Sequence, residues 1–318
     1  MSKDQEEFKP DRAFYGTIDS MDSISLSPEK ELVNSFLERY RAYLAPSKNP
    51  YIQYFFKLPG ASVSCYKSGK VLLQGAKASH YALELGAQTP GQPSEMAQDQ
   101  QKLALIGSDE VGNGSYFGGL AVVASYTQPQ EEDWLKDLGV GDSKGLTDQK
   151  IRQLAPILRE KIPHQALLLT PSKYNEVIAS GYNAVSVKVA LHNQAIYLLL
   201  KKGLEPDKIV IDAFTSSKNY QKYLKAERNH FSQAISLEEK AEGKYLAVAV
   251  SSIIARNLFL ENLDQLSQEL GFRLPSGAGT KSDQIASQIL QAYGKKGLAH
   301  SAKLHFKNTE KAQALLER

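Results

Sequence analysis

The chain is poor in the residues that build covalent or metal-stapled frameworks: 318 residues include one cysteine, Cys65, one tryptophan, Trp134, and three methionines. A single thiol can neither close an internal disulfide nor form a Cys-rich zinc site, so a reducing, cytoplasmic setting is expected. Uninterrupted apolar stretches such as Tyr197–Leu200 and Tyr245–Val250 fall far short of the roughly 20 residues of a membrane span, and a membrane protein is not expected. The opening MSKDQEEFKP is polar and acidic with no apolar segment behind it, which argues against a secretory signal. The six histidines give no metal pattern. His300 and His305 stand five apart without cysteine partners, while His80, His164, His192 and His230 are isolated, so surface or packing roles are expected for all of them. Trp134 is expected to anchor the loop before Gly139.

What is present is an ordinary globular composition, 42% hydrophobic and 23% charged, at a length that suits two domains. The net charge of +3 hides a gradient. Residues 1–21 hold three basic and five acidic residues, whereas residues 22–91 hold eight basic and five acidic. A basic small domain points toward a polyanionic partner, although a solvated surface gives the same count.

Residues 1–21 lack periodicity and read as a flexible extension or leader. Residues 22–90 read as a small domain. Ser27 and Pro28 suit a helix start, and Leu32, Val33, Phe36, Leu37 and Tyr40 follow at helical spacing. Three short β-rich runs come next, at 51–57, 61–66 and 70–74, separated by Leu58-Pro59-Gly60 and Lys67-Ser68-Gly69, as an antiparallel meander would be. Residues 91–102 belong to a polar, Pro/Gly-rich linker. From 103 to 318 the pattern alternates. Strands are expected at 103–106, 120–125, 166–169 and 208–212, with a long helix at 184–201 and mostly helix beyond Glu242. That alternation predicts a mixed sheet flanked by helices.

In Ile106-Gly107-Ser108-Asp109-Glu110-Val111-Gly112-Asn113-Gly114 two acids follow an apolar strand and precede a glycine-rich turn. Asp212 closes another apolar strand. If the two strands are neighbours, Asp109 and Asp212 converge, and convergent carboxylates without a compensating arginine call for a divalent cation. Oxygen-only ligation favours Mg2+ or Mn2+ over zinc. Taken alone, Asp109 and Glu110 read equally as turn acids, and Asp212 as the start of a turn. Gly112 and Gly114 let backbone approach a ligand closely, as a sugar-phosphate chain would need.

Those residues together with Tyr116-Phe117-Gly118, Gly141-Asp142-Ser143-Lys144, Asp212, and Ala241-Glu242 ahead of Ser252-Ile253-Ile254-Ala255-Arg256 resemble the type 2 ribonucleases H. The basic amino-terminal module and Glu242 resemble the ribonuclease HIII branch rather than ribonuclease HII. The resemblance implies an α/β catalytic domain of RNase H-like fold, a mixed sheet flanked by helices, preceded by a small α+β domain similar to half of the TATA-binding protein. It also implies Asp109, Glu110, Asp212 and Glu242 as catalytic, metal-binding acids. Where the family commonly has Gly-Pro this chain has Gly118-Gly119, and where ribonuclease HII has a fourth aspartate it has Glu242.

The implied activity is endonucleolytic hydrolysis of the RNA strand of RNA/DNA hybrids by water, giving 5′-phosphate and 3′-hydroxyl ends. Two hard ions about 4 Å apart would assist it. The 2′-hydroxyl must distinguish RNA from DNA. By the same resemblance the Gly112-Asn113-Gly114 backbone would read it, while Ser143 and Lys144 would meet phosphate. In the amino-terminal domain, Tyr51, Tyr54, Phe55 and Phe56 interleave with Lys57, Lys67, Lys70 and Lys77, a combination suited to a nucleic-acid surface. A cytoplasmic monomer acting on hybrid nucleic acid, away from membranes, is expected. The alternatives are ribonuclease HII-like incision at single embedded ribonucleotides, and a catalytically silent hybrid-binding protein.

Overall fold

The computed structural model describes residues 23–26, 28, 30–47, 49–86 and 103–317, with the side chains of residues 23 and 142–144 excepted. The expected extension at 1–21, the Ser27 cap and the linker at 91–102 lie outside these residues. The chain divides into two compact units, Met1–Gln92 and Pro93–Arg318.

In the first unit the elements are β1 (Ser23–Leu26), α1 (Lys30–Arg39), β2 (Ile52–Leu58), β3 (Ala61–Tyr66), β4 (Val71–Gln74) and α2 (Ala78–Glu84). The three expected strands form the antiparallel meander. β1, absent from the sequence reading, adds a fourth by pairing with β4, giving the order β1-β4-β3-β2. Alternation along the strands sends Phe56, Leu58, Val63, Cys65, Val71 and Leu73 to one face. There they meet Phe36 of α1 and Ala78, Tyr81 and Ala82 of α2 in a single core. Phe36 packs edge-on against Phe56 at 5.4 Å between ring centres. Cys65 is buried in this core, and burial pushes its thiol up to about 11, so it is an inert packing residue.

The second unit comprises β5 (Leu105–Val111), β6 (Leu120–Thr127), α3 (Glu132–Asp137), α4 (Asp148–Lys161), β7 (His164–Leu169), α5 (Pro171–Ala179), α6 (Ala184–Leu200), β8 (Lys208–Asp212), α7 (Ser217–Leu224), β9 (Ile235–Glu238), α8 (Leu246–Leu270), α9 (Thr280–Ser301) and α10 (Asn308–Leu316). A break at Gly294, whose φ is +64°, interrupts α9. The mixed sheet runs β7-β6-β5-β8-β9; β5 lies antiparallel to β6 and parallel to β8, which is parallel to β9. β9 and the helices α3, α5 and α7 are additions to the sequence reading. β5 also runs to Val111 rather than ending near Ile106, so both of its acids sit within the strand.

Period-two alternation decides which helix each β5 and β8 residue meets. Ile106, Ile209 and Ile211 pack with Val189, Ile196 and Leu199 of α6. On the other face Val210 packs with Ala247 and Val248 of α8. α8 lies so close to β5 that a Cβ on Gly107 would fall 2.2 Å from Val248 N. Small polar residues stitch this contact: Ser251 Oγ donates to Gly107 O and Ser125 Oγ donates to Ala247 O. By length and composition α8 could cross a membrane, although no continuous apolar run in the sequence is that long. Its most apolar window is 78% buried inside the unit, which makes it the core helix.

Candidate active site

The register of β5 against β8 pairs Ser108 with Ile211, so Asp109 and Asp212 come next on two parallel neighbours. Both belong to the α8 face. Asp212 Oδ1 accepts the backbone N–H of Ala241 at 2.8 Å, which holds the short helical turn Ala241–Gly243 against the strand end. Lys240 enters that turn at φ +55°, the left-handed region that side chains other than glycine rarely adopt. The turn thereby buries Glu242 beside Asp212.

Asp109, Asp212 and Glu242 line one pocket of about 330 Å³, together with Ile151, Ser252, Ile253 and Arg256. Its electrostatics are those of crowded acids. Burial, reinforced by the charges of Glu110 and Asp212, pushes the Asp109 carboxyl up to about 7 despite a hydrogen bond from Ser252. Burial also raises Asp212; the Ala241 N–H works against this, and hydrogen bonding and repulsion with Glu242 add to it. Among the described residues no lysine or arginine forms an ion pair with Asp109 or Asp212. Arg256 reaches the pocket wall, but its guanidinium is committed to Asp148, at 2.6 and 3.0 Å, and to Leu146 O.

Glu110 departs from the sequence reading. Adjacent residues of a strand point to opposite faces, so Glu110 turns to the α6 face while Asp109 turns to the α8 face. Its oxygens meet Lys188 Nζ and His192 Nε2, each at 2.9 Å. Burial favours the neutral acid, but His192 and Lys188 outweigh it and hold the carboxyl below its ordinary range. The structure therefore brings Asp109, Asp212 and Glu242 together and leaves Glu110 beside them. His192 is correspondingly no isolated packing residue. It is fully buried and contacts both Ser108 Oγ and Glu110.

The glycine-rich turn divides its labour. Gly112 has φ +105°, and a Cβ there would lie 2.4 Å from Gly119 O, so this glycine is required by the protein's own packing. Gly114 has open space around it, and Asn113 is exposed, leaving those two as the approachable part. Lys303, unremarked in the sequence, braces the following segment from within: its buried ammonium donates to the carbonyls of Gly118 and Gly119. Burial lowers that lysine to about 7. Ser143 and Lys144 lie in the turn Val140–Gly145, just before the α4 cap, where Thr147 Oγ1 accepts from Lys150 N. His300 Nε2 lies 2.7 Å from a Glu269 carboxylate oxygen at an exposed site, and His305 stacks on Tyr174, in line with surface and packing roles.

Among the described residues no three His, Cys, Asp or Glu side chains are gathered closely enough to enclose an ion as they stand. Three carboxylates facing one cavity, Asp109 and Glu242 buried and Asp212 partly so, with Asp109 and Asp212 driven toward protonation, nevertheless fit a hard divalent cation, whose charge would offset their repulsion.

Comparison with known proteins agrees in extent and kind. A family model described as ribonuclease HII matches residues 106–309, and a domain of unknown function matches residues 24–98. The chain is 68% identical over 301 residues to ribonuclease HIII of Streptococcus gordonii, covering 94% of this chain and 100% of that protein. Ribonuclease HIII of Streptococcus pneumoniae serotype 19F is 70% identical over 298 residues, again covering 94% and 100%. Among solved structures, Bst-RNase HIII in complex with Mn2+ is similar with a TM-score of 0.68 and 36% identity, covering 93% of this chain and 100% of the other.

Proposed function

The chain matches the ribonuclease HII family model and belongs with the ribonucleases HIII, and from that premise we propose that it is an endoribonuclease which hydrolyses the RNA strand of RNA/DNA hybrids with Mg2+ or Mn2+. The observation that carries this reading is the convergence of Asp109, Asp212 and Glu242 on one pocket. A protein that only bound nucleic acid would gain nothing from presenting such acids to a polyanion.

Asp109, Asp212 and Glu242 would hold the cation, with Glu110 within reach and two ions engaged once substrate is bound. A bound divalent ion supplies a nucleophile active at neutral pH and offsets charge on the phosphoryl oxygens. The protein's part is placement. Ser252 orients Asp109, and the Ala241 N–H fixes Asp212 for ligation. The exposed Asn113-Gly114 backbone, held by Gly112, is the reader of the 2′-hydroxyl, a group able both to donate and to accept. Ser143 and Lys144 take phosphate. Because water attacks rather than the 2′-hydroxyl, the products carry 5′-phosphate and 3′-hydroxyl ends.

The amino-terminal unit would add substrate affinity. We take the enzyme to act as a monomer in the cytoplasm, which light scattering and fractionation would check. The deciding experiment is cleavage of a uniform RNA/DNA hybrid by wild type and Asp109→Asn, with and without Mg2+. The expected result is metal-dependent cleavage by wild type alone; equal activity of the two proteins refutes the assignment. A duplex with one embedded ribonucleotide, cut poorly by comparison, separates this activity from ribonuclease HII-like incision.

A further inference from the structure

We propose that Lys188 and His192 are positioning residues that hold Glu110 off the pocket of Asp109, Asp212 and Glu242, so that Glu110 joins a bound cation only by giving up one of these two partners. The inference rests on the metal-site reading above and goes beyond it by assigning the resting place of one acid and what it must release.

The geometry is that of a built clamp. Lys188 and His192 stand one turn apart on α6, with side-chain exposures of 7% and 0%, against 11% for Glu110. Each takes a different carboxylate oxygen, so the carboxylate cannot rotate without breaking a contact. Phe214, two residues beyond Asp212, braces both partners: its ring stacks on His192 at 5.1 Å and 17°, and lies 4.2 Å from Lys188 Nζ. On its other edge His192 Nδ1 is 2.7 Å from Ser108 Oγ, whose hydroxyl is donated to Val123 O. Both ring nitrogens are thus engaged, which fixes the orientation of the imidazole. A lysine ammonium and a buried imidazole therefore flank one carboxylate, beside a pocket that would take a cation.

Buried ion pairs of this kind contribute little net stability compared with apolar packing. What the clamp does is fix the direction of a charged side chain. It holds the carboxylate of the fourth acid outside the crowded pocket, so that its charge reaches Asp109 and Asp212 only from beside it. A residue serving structure alone would weaken cation binding when removed, through loosened packing. The clamp predicts the reverse.

The test is titration of the full-length protein with Mn2+ alone, by calorimetry at neutral pH without nucleic acid. Lys188→Met should bind Mn2+ more tightly than wild type by about tenfold, the equivalent of one charge-assisted hydrogen bond no longer broken on ligation. Lys188→Arg, which keeps the contact, should match wild type. In a Glu110→Gln background the same Lys188→Met change should lose most of its effect. Unchanged or weaker binding by Lys188→Met overturns the proposal, as does full tightening in the Glu110→Gln background, which would make Lys188 a source of through-space repulsion only. If Lys188→Met does not fold, a crystal structure of wild type with Mn2+ decides. Glu110 on the metal with one clamp contact broken supports the proposal, and both contacts intact overturns it. Failure of wild type itself to bind Mn2+ would remove the metal-site reading, and the clamp's purpose with it.

Discussion

Asp212 and Ala241, 29 residues apart in the chain, are joined by a 2.8 Å hydrogen bond from the Ala241 N–H to the Asp212 carboxylate. This one contact sets the end of β8 against the turn that carries Glu242. The two roles of Asp212, ligand and acceptor, can be separated. Asp212→Asn keeps an oxygen for Ala241 and should fold normally while losing hybrid hydrolysis. Asp212→Ala should lose activity and, in addition, about 1 to 2 kcal/mol of stability. Cleavage assays beside urea denaturation check both.

Asp109 gives a pH signature. In the unfolded chain its proton leaves near 3.8, whereas in the folded protein it is retained up to about 7. Folded protein thus binds more protons across that window, and stability from this group falls as pH rises through it. Glu110 shifts the other way, so the comparison must isolate Asp109. With divalent cations chelated, Asp109→Asn should flatten the decline and be more stable than wild type at neutral pH by a few kcal/mol. Thermal melts from acid to neutral pH measure the difference.

Gly107 should tolerate no side chain. A Cβ there meets the backbone of α8 at 2.2 and 2.3 Å, and neither strand nor helix can yield without disturbing Asp109 two residues on. Gly107→Ala should lower stability by about 3 kcal/mol or more and reduce hybrid cleavage in step, as read by denaturation and turnover on one preparation. Gly114→Ala, with open space around it, should leave stability nearly unchanged.

On the amino-terminal sheet, Phe56 is core, while Phe55 and exposed Lys57 lie on its neighbouring strand positions. Phe55 pairs with Ser64 on the face away from the helices. The double variant Phe55→Ala with Lys57→Ala should raise KM for hybrid several-fold with kcat retained, and should reduce the salt dependence of binding by about one phosphate contact. An unchanged salt titration would count against this face as the substrate surface.

Much of this arrangement was legible in the sequence because apolar runs followed by acids mark strands, and β5 and β8 carry such runs. Their adjacency was not, since nothing local specifies which strands pair. The divergence of Asp109 and Glu110 follows from strand alternation once both are known to lie inside β5. The clamp was hidden for a different reason. α6 is apolar almost all round, which masks Lys188 and His192, although two polar residues four apart in such a helix were the available signal. Glu242 stood out only by resemblance, because a three-residue turn has no periodicity and its place depends on Asp212. β1 and β9 are four-residue strands of mixed polarity, Ser23–Leu26 and Ile235–Glu238, without the apolar run that marked the equally short β4.

The most direct measurement of the central claim is the anomalous difference density of crystals grown with Mn2+. A peak bounded by the carboxylates of Asp109, Asp212 and Glu242, and lost in Asp109→Asn, is the predicted result. Density elsewhere, or none in a protein that still cleaves hybrid, would contradict the account.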